Sequence, residues 1–265
     1  MIRILKCELY RGFKSRGLLY SLLIGNVVVL LDFFTFVKTT AGDDRVIPVV
    51  EAWIGTDYKL AYNILFYLLL PVIATLPFAG SYYEDLKSGY MKNICIKTSR
   101  ANYYTAKCIA VFMTSMFAVV MPLLFSMMLC MSCYPSLRPE KLLFLTVGIL
   151  DEGFMSRTYN LNPTLYMLIY TLLDGVFAGI ISMFSICVAE HTESYFSNVL
   201  SPFAMYIVIG ALLESLGLGC WSLSVMLNPL QSLSNAVWRM VLVAVALIGF
   251  FVAWIMVKSK RKDIL

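Results

Sequence analysis

Six stretches of the chain are apolar almost without interruption: Gly17–Val37, Ala61–Ala79, Lys107–Met131, Thr164–Ala189, Val199–Leu218 and Val237–Val257. A helix that crosses a bilayer needs about 20 mainly apolar residues, because the hydrocarbon core is about 30 Å thick and each residue rises about 1.5 Å. Each stretch therefore predicts a spanning helix. Together they predict an all-α membrane protein of six transmembrane helices, organised as a single transmembrane domain over residues 1–265. Two shorter patterns differ in kind. Within residues 1–16, Ile2, Leu5, Leu9 and Phe13 recur at spacings of three, four and four, while Arg3, Lys6, Glu8, Arg11 and Lys14 fall largely elsewhere around the helix. This predicts an interfacial helix, with its apolar stripe at the acyl boundary and its basic residues toward anionic headgroups of membrane lipid. In the loop 81–106, Tyr83, Leu86, Tyr90 and Ile94 share one helical face, with Glu84, Asp85, Lys87, Lys92 and Lys97 mostly off it. Gly89 interrupts that run at modest cost. The loop reads either as a charged helix levering the second and third spans, or as a basic loop with some local helix.

Composition agrees with the pattern. Of 265 residues, 60% are hydrophobic and 14% charged, against about 45–50% and about 25% in soluble domains. The mean hydropathy of +0.79 excludes disordered, collagen-like and disulfide-scaffold classes. The net charge of +5 raises the question of sidedness before that of nucleic acid. With six spans, fourteen of the 21 Lys and Arg share one side: Arg3, Lys6, Arg11, Lys14, Arg16, Lys87, Lys92, Lys97, Arg100, Lys107, Lys258, Lys260, Arg261 and Lys262. Seven lie opposite: Lys38, Arg45, Lys59, Arg138, Lys141, Arg157 and Arg239. The positive-inside rule then places both termini in the cytoplasm of a multi-pass cell-membrane protein. The first span reads as a retained helix, since Thr40-Ala41-Gly42 makes a poor cleavage site after so long an apolar stretch. The loops 38–60 and 132–163, and the hairpin 219–236, fall outside the membrane on the far side.

Few residues are equipped for chemistry. Asp174 sits about ten residues into the fourth span and Glu214 near the outer end of the fifth. A charge at the bilayer centre costs about 2.5–3.5 kcal/mol on insertion scales, so such groups usually face a cavity or a partner. Asp174 reads as a polar point on a transport path or as a carboxyl holding helices in register. Glu214 reads as an outer gate or as a snorkelling residue, with Asp32 similar and closer to the surface. Gly175 and Gly179 form a small-xxx-small pair that permits close helix approach. Cys130 and Cys133 lie toward the outside with Cys220, and His191, the only histidine, lies on the other side. Buried thiols rather than a metal site are therefore expected. No G-x-x-x-x-G-K-[ST], H-E-x-x-H or G-x-S-x-G occurs. Tyr20, Trp53, Tyr58, Tyr103, Tyr104, Tyr134, Trp221 and Trp238 fall near span ends, as in an interfacial aromatic belt. Met127, Met128 and Met131 would suit an adaptable apolar wall.

The run Tyr82-Tyr83-Glu84-Asp85-Leu86-Lys87-Ser88-Gly89-Tyr90-Met91-Lys92-Asn93, followed by Lys97-Thr98-Ser99-Arg100 and Ala106-Lys107, resembles the cytoplasmic loop of ABC-2-type transporter permeases. Asn228-Pro229-Leu230 resembles the outer re-entrant hairpin of the same family. The loop 132–163 is longer than the family pattern. The resemblance implies the membrane subunit of a bacterial ABC exporter. It would form a twelve-span homodimer, or pair with a related permease, and bind a separate ATPase subunit that carries the ATP and Mg. Glu84, Asp85, Lys87, Ser88, Gly89, Tyr90 and Lys92 would form the coupling helix, and Asp174, Glu214, Asn228 and Pro229 would belong to the path or gate. On this reading the chain is no enzyme and needs no cofactor or metal of its own. The cargo expected is amphipathic or hydrophobic, a peptide or antimicrobial compound, because the spans offer Met and aromatics and few charges. Glycan, lipid or sodium export by the same family, a membrane-embedded enzyme, and a non-transporting immunity or sensor subunit are the alternatives.

Overall fold

A computed structural model describes residues 1–42, 46–57, 61–137, 155–230 and 237–260. Arg45, Tyr58, Lys59, Arg138, Lys141, Arg261, Lys262 and the hairpin beyond Leu230 lie outside the described residues, as does most of the loop 132–163. The described residues are helical with no strand: α1 (Ile2–Phe13), α2 (Arg16–Thr40), α3 (Val49–Ala52), α4 (Ala61–Thr75), α5 (Ser81–Lys87), α6 (Tyr90–Cys95), α7 (Arg100–Cys133), α8 (Ser156–Leu161), α9 (Pro163–Val188), α10 (Tyr195–Ser215), α11 (Leu223–Leu227) and α12 (Val237–Lys260). Five of these, α2, α7, α9, α10 and α12, are long and apolar enough to span a membrane. The chain is a membrane protein. The second expected span is shorter than its apolar run: α4 ends at Thr75, and residues 76–80 turn before α5 begins.

Serine starts three of the long helices. Ser15, Ser99 and Ser194 accept hydrogen bonds from the amides of Leu18, Asn102 and Ser197, at 3.1, 3.4 and 3.1 Å. Each satisfies one of the donors that a helix start leaves without an intrahelical partner. Pro163 opens α9, where its missing N–H costs nothing.

Hydrogen bonds between elements fix the path of the chain. Ser15 donates to the Pro77 carbonyl at 2.6 Å, so the start of α2 lies beside the end of α4. Ser185 near the end of α9 donates to the Ala79 carbonyl at 2.8 Å. Lys258 near the end of α12 pairs with Glu190 in the α9–α10 turn. These contacts gather the beginning of α2 and the ends of α4, α9 and α12 at one end of the bundle, here called the basic end. At the other end the amide of Val49 donates to the Pro135 carbonyl at 3.0 Å, joining the segment after α2 to the end of α7. Although short, α4 therefore carries the chain between the same two ends as its long neighbours.

The centre of the bundle is α7 against α9, with α2 and α4 packed around them. Gly175 and Gly179 make that approach possible. A Cβ at Gly175 would lie 2.4 Å from Val120, and one at Gly179 would lie 2.5 Å from the Phe112 ring. The small-xxx-small pair thus serves α7–α9 packing. By contrast only 11% of the apolar window of α12 is buried, so this helix turns most of its surface outward.

Three expectations change here. Part of the outer loop 38–60 is interior: Val49, Trp53 and Ile54 are fully buried, and the Trp53 indole donates to the Leu123 carbonyl at 3.4 Å. The cause is a run, Ile47–Ile54, that is apolar except for the buried Glu51, too short to span but long enough to fill the outer end of the bundle. Trp53, Tyr103 and Tyr104 accordingly sit inside the protein and are not part of a belt, whereas Tyr20 and Trp238 face outward. Asp32 does not snorkel either. It is 1% exposed, inside the bundle.

Candidate functional site

At the basic end four charged side chains meet, three of them buried and the fourth, Arg11, about a third exposed. Lys107, about two turns into α7, is completely buried, and its Nζ lies 2.9 Å from Glu8 Oε2 and 2.5 Å from Asp85 Oδ2. Arg11 bridges the same two carboxylates from the other side, at 2.9 Å to Glu8 Oε1 and 2.8 Å to Asp85 Oδ1. The Tyr103 hydroxyl donates to Asp85 Oδ2 at 2.6 Å. Aromatic faces complete the enclosure: Arg11 stacks 4.6 Å from the Tyr90 centroid, and Lys107 lies 4.6 Å from that of Phe78. Two cations and two carboxylates balance, which is what allows Glu8, Asp85 and Lys107 to be buried with Arg11 at the rim.

Helical periodicity explains the convergence. Glu8 and Arg11 are three apart and project from one face of α1, and Tyr103 and Lys107 are four apart on α7. Gly12, one turn beyond Glu8, lets α1 lie against α7, since a Cβ there would meet Thr114 at 2.6 Å. The expected apolar stripe of α1 is kept only in part, with Leu5 and Leu9 half-buried. Glu8 and Gly12 are its buried positions, while Ile2 and Phe13 are exposed.

Electrostatics follow from this geometry. Burial pushes the Asp85 carboxyl up, but the Lys107 charge and hydrogen bonds from Arg11, Lys107 and Tyr103 outweigh it and hold the group below the usual carboxylate range. Arg11 is held above its ordinary value because burial is outweighed by its bond to Asp85 and by the Asp85 and Glu8 charges. Burial, with the neighbouring Tyr104 and Glu190, raises the Tyr82 phenol.

The coupling residues inferred from the sequence divide in two. The loop is not one helix: α5 stops at Lys87, Gly89 adopts φ +72°, and α6 begins at Tyr90. Only glycine takes that left-handed conformation readily, so the reversal belongs to the Ser88-Gly89 pair. Glu84, Lys87, Ser88 and Lys92 point outward. Asp85 and Tyr90 turn inward to the charge cluster, correcting the placement of Asp85 off the buried face. Further bonds secure α5 to the rest of the bundle: Tyr82 to Glu190 at 3.3 Å, and Tyr83 to the Glu193 carbonyl at 2.6 Å. One seven-residue helix thus touches α1, α7 and the α9–α10 turn.

The path and gate residues converge at the other end. Asp174 is fully buried and accepts a bond from the Tyr67 hydroxyl at 3.0 Å through Oδ2, while its Oδ1 has no partner. Tyr67, Tyr206, Glu214, Ser224 and Asn228 line a cleft of about 460 Å³ between α4, α10 and α11. Asn228 holds the turn after α11 in place, donating to Asn63 Oδ1 at 2.9 Å and accepting from the Leu230 amide at 2.9 Å. The Pro229 carbonyl accepts from Tyr166 at 3.3 Å. Asp174 reaches the cleft through Tyr67, Glu214 and Asn228 line it directly, and Pro229 braces the turn from behind. Replacing Tyr67 by Phe removes the hydroxyl from Asp174, and unfolding in mixed micelles should show a loss of about 1–3 kcal/mol, the cost of an unsatisfied buried acceptor.

Glu8, Arg11 and Lys107 were not legible as site residues. Their separation of up to 99 positions leaves no local spacing to read. The usable signal was a lysine followed at once by an apolar run, which can serve as a topology marker or as half of a buried pair. The seven cysteines are free thiols, and the Cys130 thiol donates to the Ala52 carbonyl at 3.1 Å.

The described residues thus define an all-helical membrane protein with a neutral buried charge cluster at one end and an acidic cleft at the other. Comparison with protein-family models, curated proteins and solved structures gave no match.

Proposed function

We propose that this chain is the permease subunit of an ATP-driven exporter, working with a separate ATPase and as a dimer with itself or a related permease. The observation that carries the reading is α5. It exposes Glu84 and Lys87 outward, next to Ser88 at its end and Lys92 of α6, while Asp85, Tyr82 and Tyr83 tie its inner face to α1, α7 and the α9–α10 turn. A push on the outer face is thereby delivered to several helices together, as a coupling element requires. Closure of the paired ATPases, which bind ATP and Mg, would tilt α4 and α7 and open a path toward the cleft.

The course of α4 between the two ends supports six crossings rather than five, with both termini on the basic, cytoplasmic side. The cargo that best suits such spans is amphipathic or hydrophobic, a peptide or an antimicrobial compound. The paired reversal Glu84→Lys with Lys92→Glu changes exposed charges only. Co-purification with an ATP-binding-cassette ATPase, and its stimulated turnover, should fall by roughly tenfold or more, as like charges placed across an interface repel. Unchanged association and turnover would sink the coupling role and favour a subunit that does not transport.

A further inference from the structure

The outer cleft is built to discriminate charge. Its walls are apolar and half-open, formed by Ile64 and Leu68 of α4 and Ile207 of α10. Among the described residues none that lines the cleft is basic. Glu214 is exposed at the cleft and makes no ion pair among the described residues. Deeper in, the Tyr206 side chain is 5% exposed and its hydroxyl has no partner. The Tyr67 hydroxyl, also lining the cleft, is turned to Asp174, whose second oxygen remains unpartnered.

We propose that this cleft binds the positively charged group of a lipophilic organic cation, with Glu214 as counter-ion and the rings of Tyr67 and Tyr206 as its walls. Such a cation brings an apolar body that suits Ile64, Leu68 and Ile207. Its diffuse charge loses little hydration on entry, while a carboxylate beside low-dielectric walls attracts it more strongly than in water. Tyrosine faces add cation–π attraction of about 0.5–2 kcal/mol. An anion of the same shape meets Glu214 with the wrong sign. A small metal ion would meet one carboxylate among neutral oxygens, a poor exchange for its water. The cleft volume of about 460 Å³ falls within the range of about 300–1,000 Å³ usual for small-molecule sites.

As the chemistry of an exported cargo this rests on the permease reading, whereas binding itself does not. The probe is tritiated tetraphenylphosphonium, added to the full chain in lipid nanodiscs, with tetraphenylborate as the anion of the same shape and empty nanodiscs for partition. Saturable binding of the cation alone is expected. It should weaken roughly tenfold in Glu214→Gln, which alters an exposed side chain, and several-fold in Tyr206→Leu, with Tyr206→Phe retaining most of it. Equal binding of both ions, no binding above empty nanodiscs, or unaltered affinity in both Glu214→Gln and Tyr206→Leu would overturn the proposal. Cation binding without ATP-dependent movement in proteoliposomes containing the ATPase would uphold the cleft and count against the exporter. ATPase coupling without cation binding would do the reverse.

Discussion

Replacing Lys107 by Met should lower the unfolding free energy by about 3–5 kcal/mol, the usual cost of removing one partner from a buried ion pair. Methionine fills most of the space, so the loss is electrostatic. Arg11 alone would then face both Glu8 and Asp85, leaving one negative charge uncompensated beside a bundle of apolar helices. The double replacement Asp85→Asn with Lys107→Met restores balance by leaving the Glu8–Arg11 pair, and it should recover part of the stability. Unfolding in mixed micelles checks both. If the single variant were as stable as the wild type, the cluster would contribute nothing. Acid titration supplies a second readout. Because Asp85 is held below its ordinary range, its contribution is present above the unfolded carboxylate value and is lost as pH falls through the folded one. Without Lys107 the folded value rises, so acid unfolding should begin at a higher pH.

The second large effect is expected from Gly17→Val. A Cβ at this position would lie 2.1 Å from the carbonyl oxygen of Leu76 and 3.1 Å from that of Pro77. Both obstacles are backbone, so no rotamer change relieves them. Either α2 must lift or the turn between α4 and α5 must move. A cost of about 3 kcal/mol is expected, at the upper end for overpacking. Gly42→Ala, where an added Cβ meets nothing within 4 Å, should stay within about 0.5 kcal/mol. Thermal unfolding of the two variants side by side separates close approach from any general intolerance of glycine replacement. Since the displaced turn leads directly into α5, the proposed coupling role implies that Gly17→Val would also impair stimulation of a partner ATPase at temperatures where the protein is still folded.

What could be read from the chain was set by the range of the interactions involved. Spans are local objects, since about 20 apolar residues suffice, and α2, α7, α9, α10 and α12 fall within a few residues of their apolar runs except where α7 begins at Arg100. The start of α7 was misjudged because Arg100–Ala106 is polar. It forms a helix on the strength of the Ser99 cap and of packing by Tyr103 and Tyr104, which hydropathy does not register. The division of α5 from α6 had a visible cause in Ser88-Gly89, yet helical spacing continued across it. Trp53 and Asp32 were assigned to the membrane surface from position alone. Their burial depends on the segment 46–57 folding back, a tertiary event with no periodic signature. At the outer cleft Asp174, Glu214 and Asn228 stood out as polar residues in apolar company. Tyr67 and Tyr206 did not, being ordinary span aromatics until α4 and α10 meet.

The charge cluster also imposes an order on biogenesis. Glu8 and Arg11 leave the ribosome before their partners Asp85 and Lys107, which follow 77 and 99 residues behind Glu8 (85 − 8 and 107 − 8). Until α7 is in place, α1 has no buried position to occupy and must wait at the membrane surface with its charges in water. Its docking then closes a long chain loop, the kind of contact that forms late. The helix made before its partners is fastened only after them, and a chain interrupted before Lys107 would leave α1 undocked with its charges exposed.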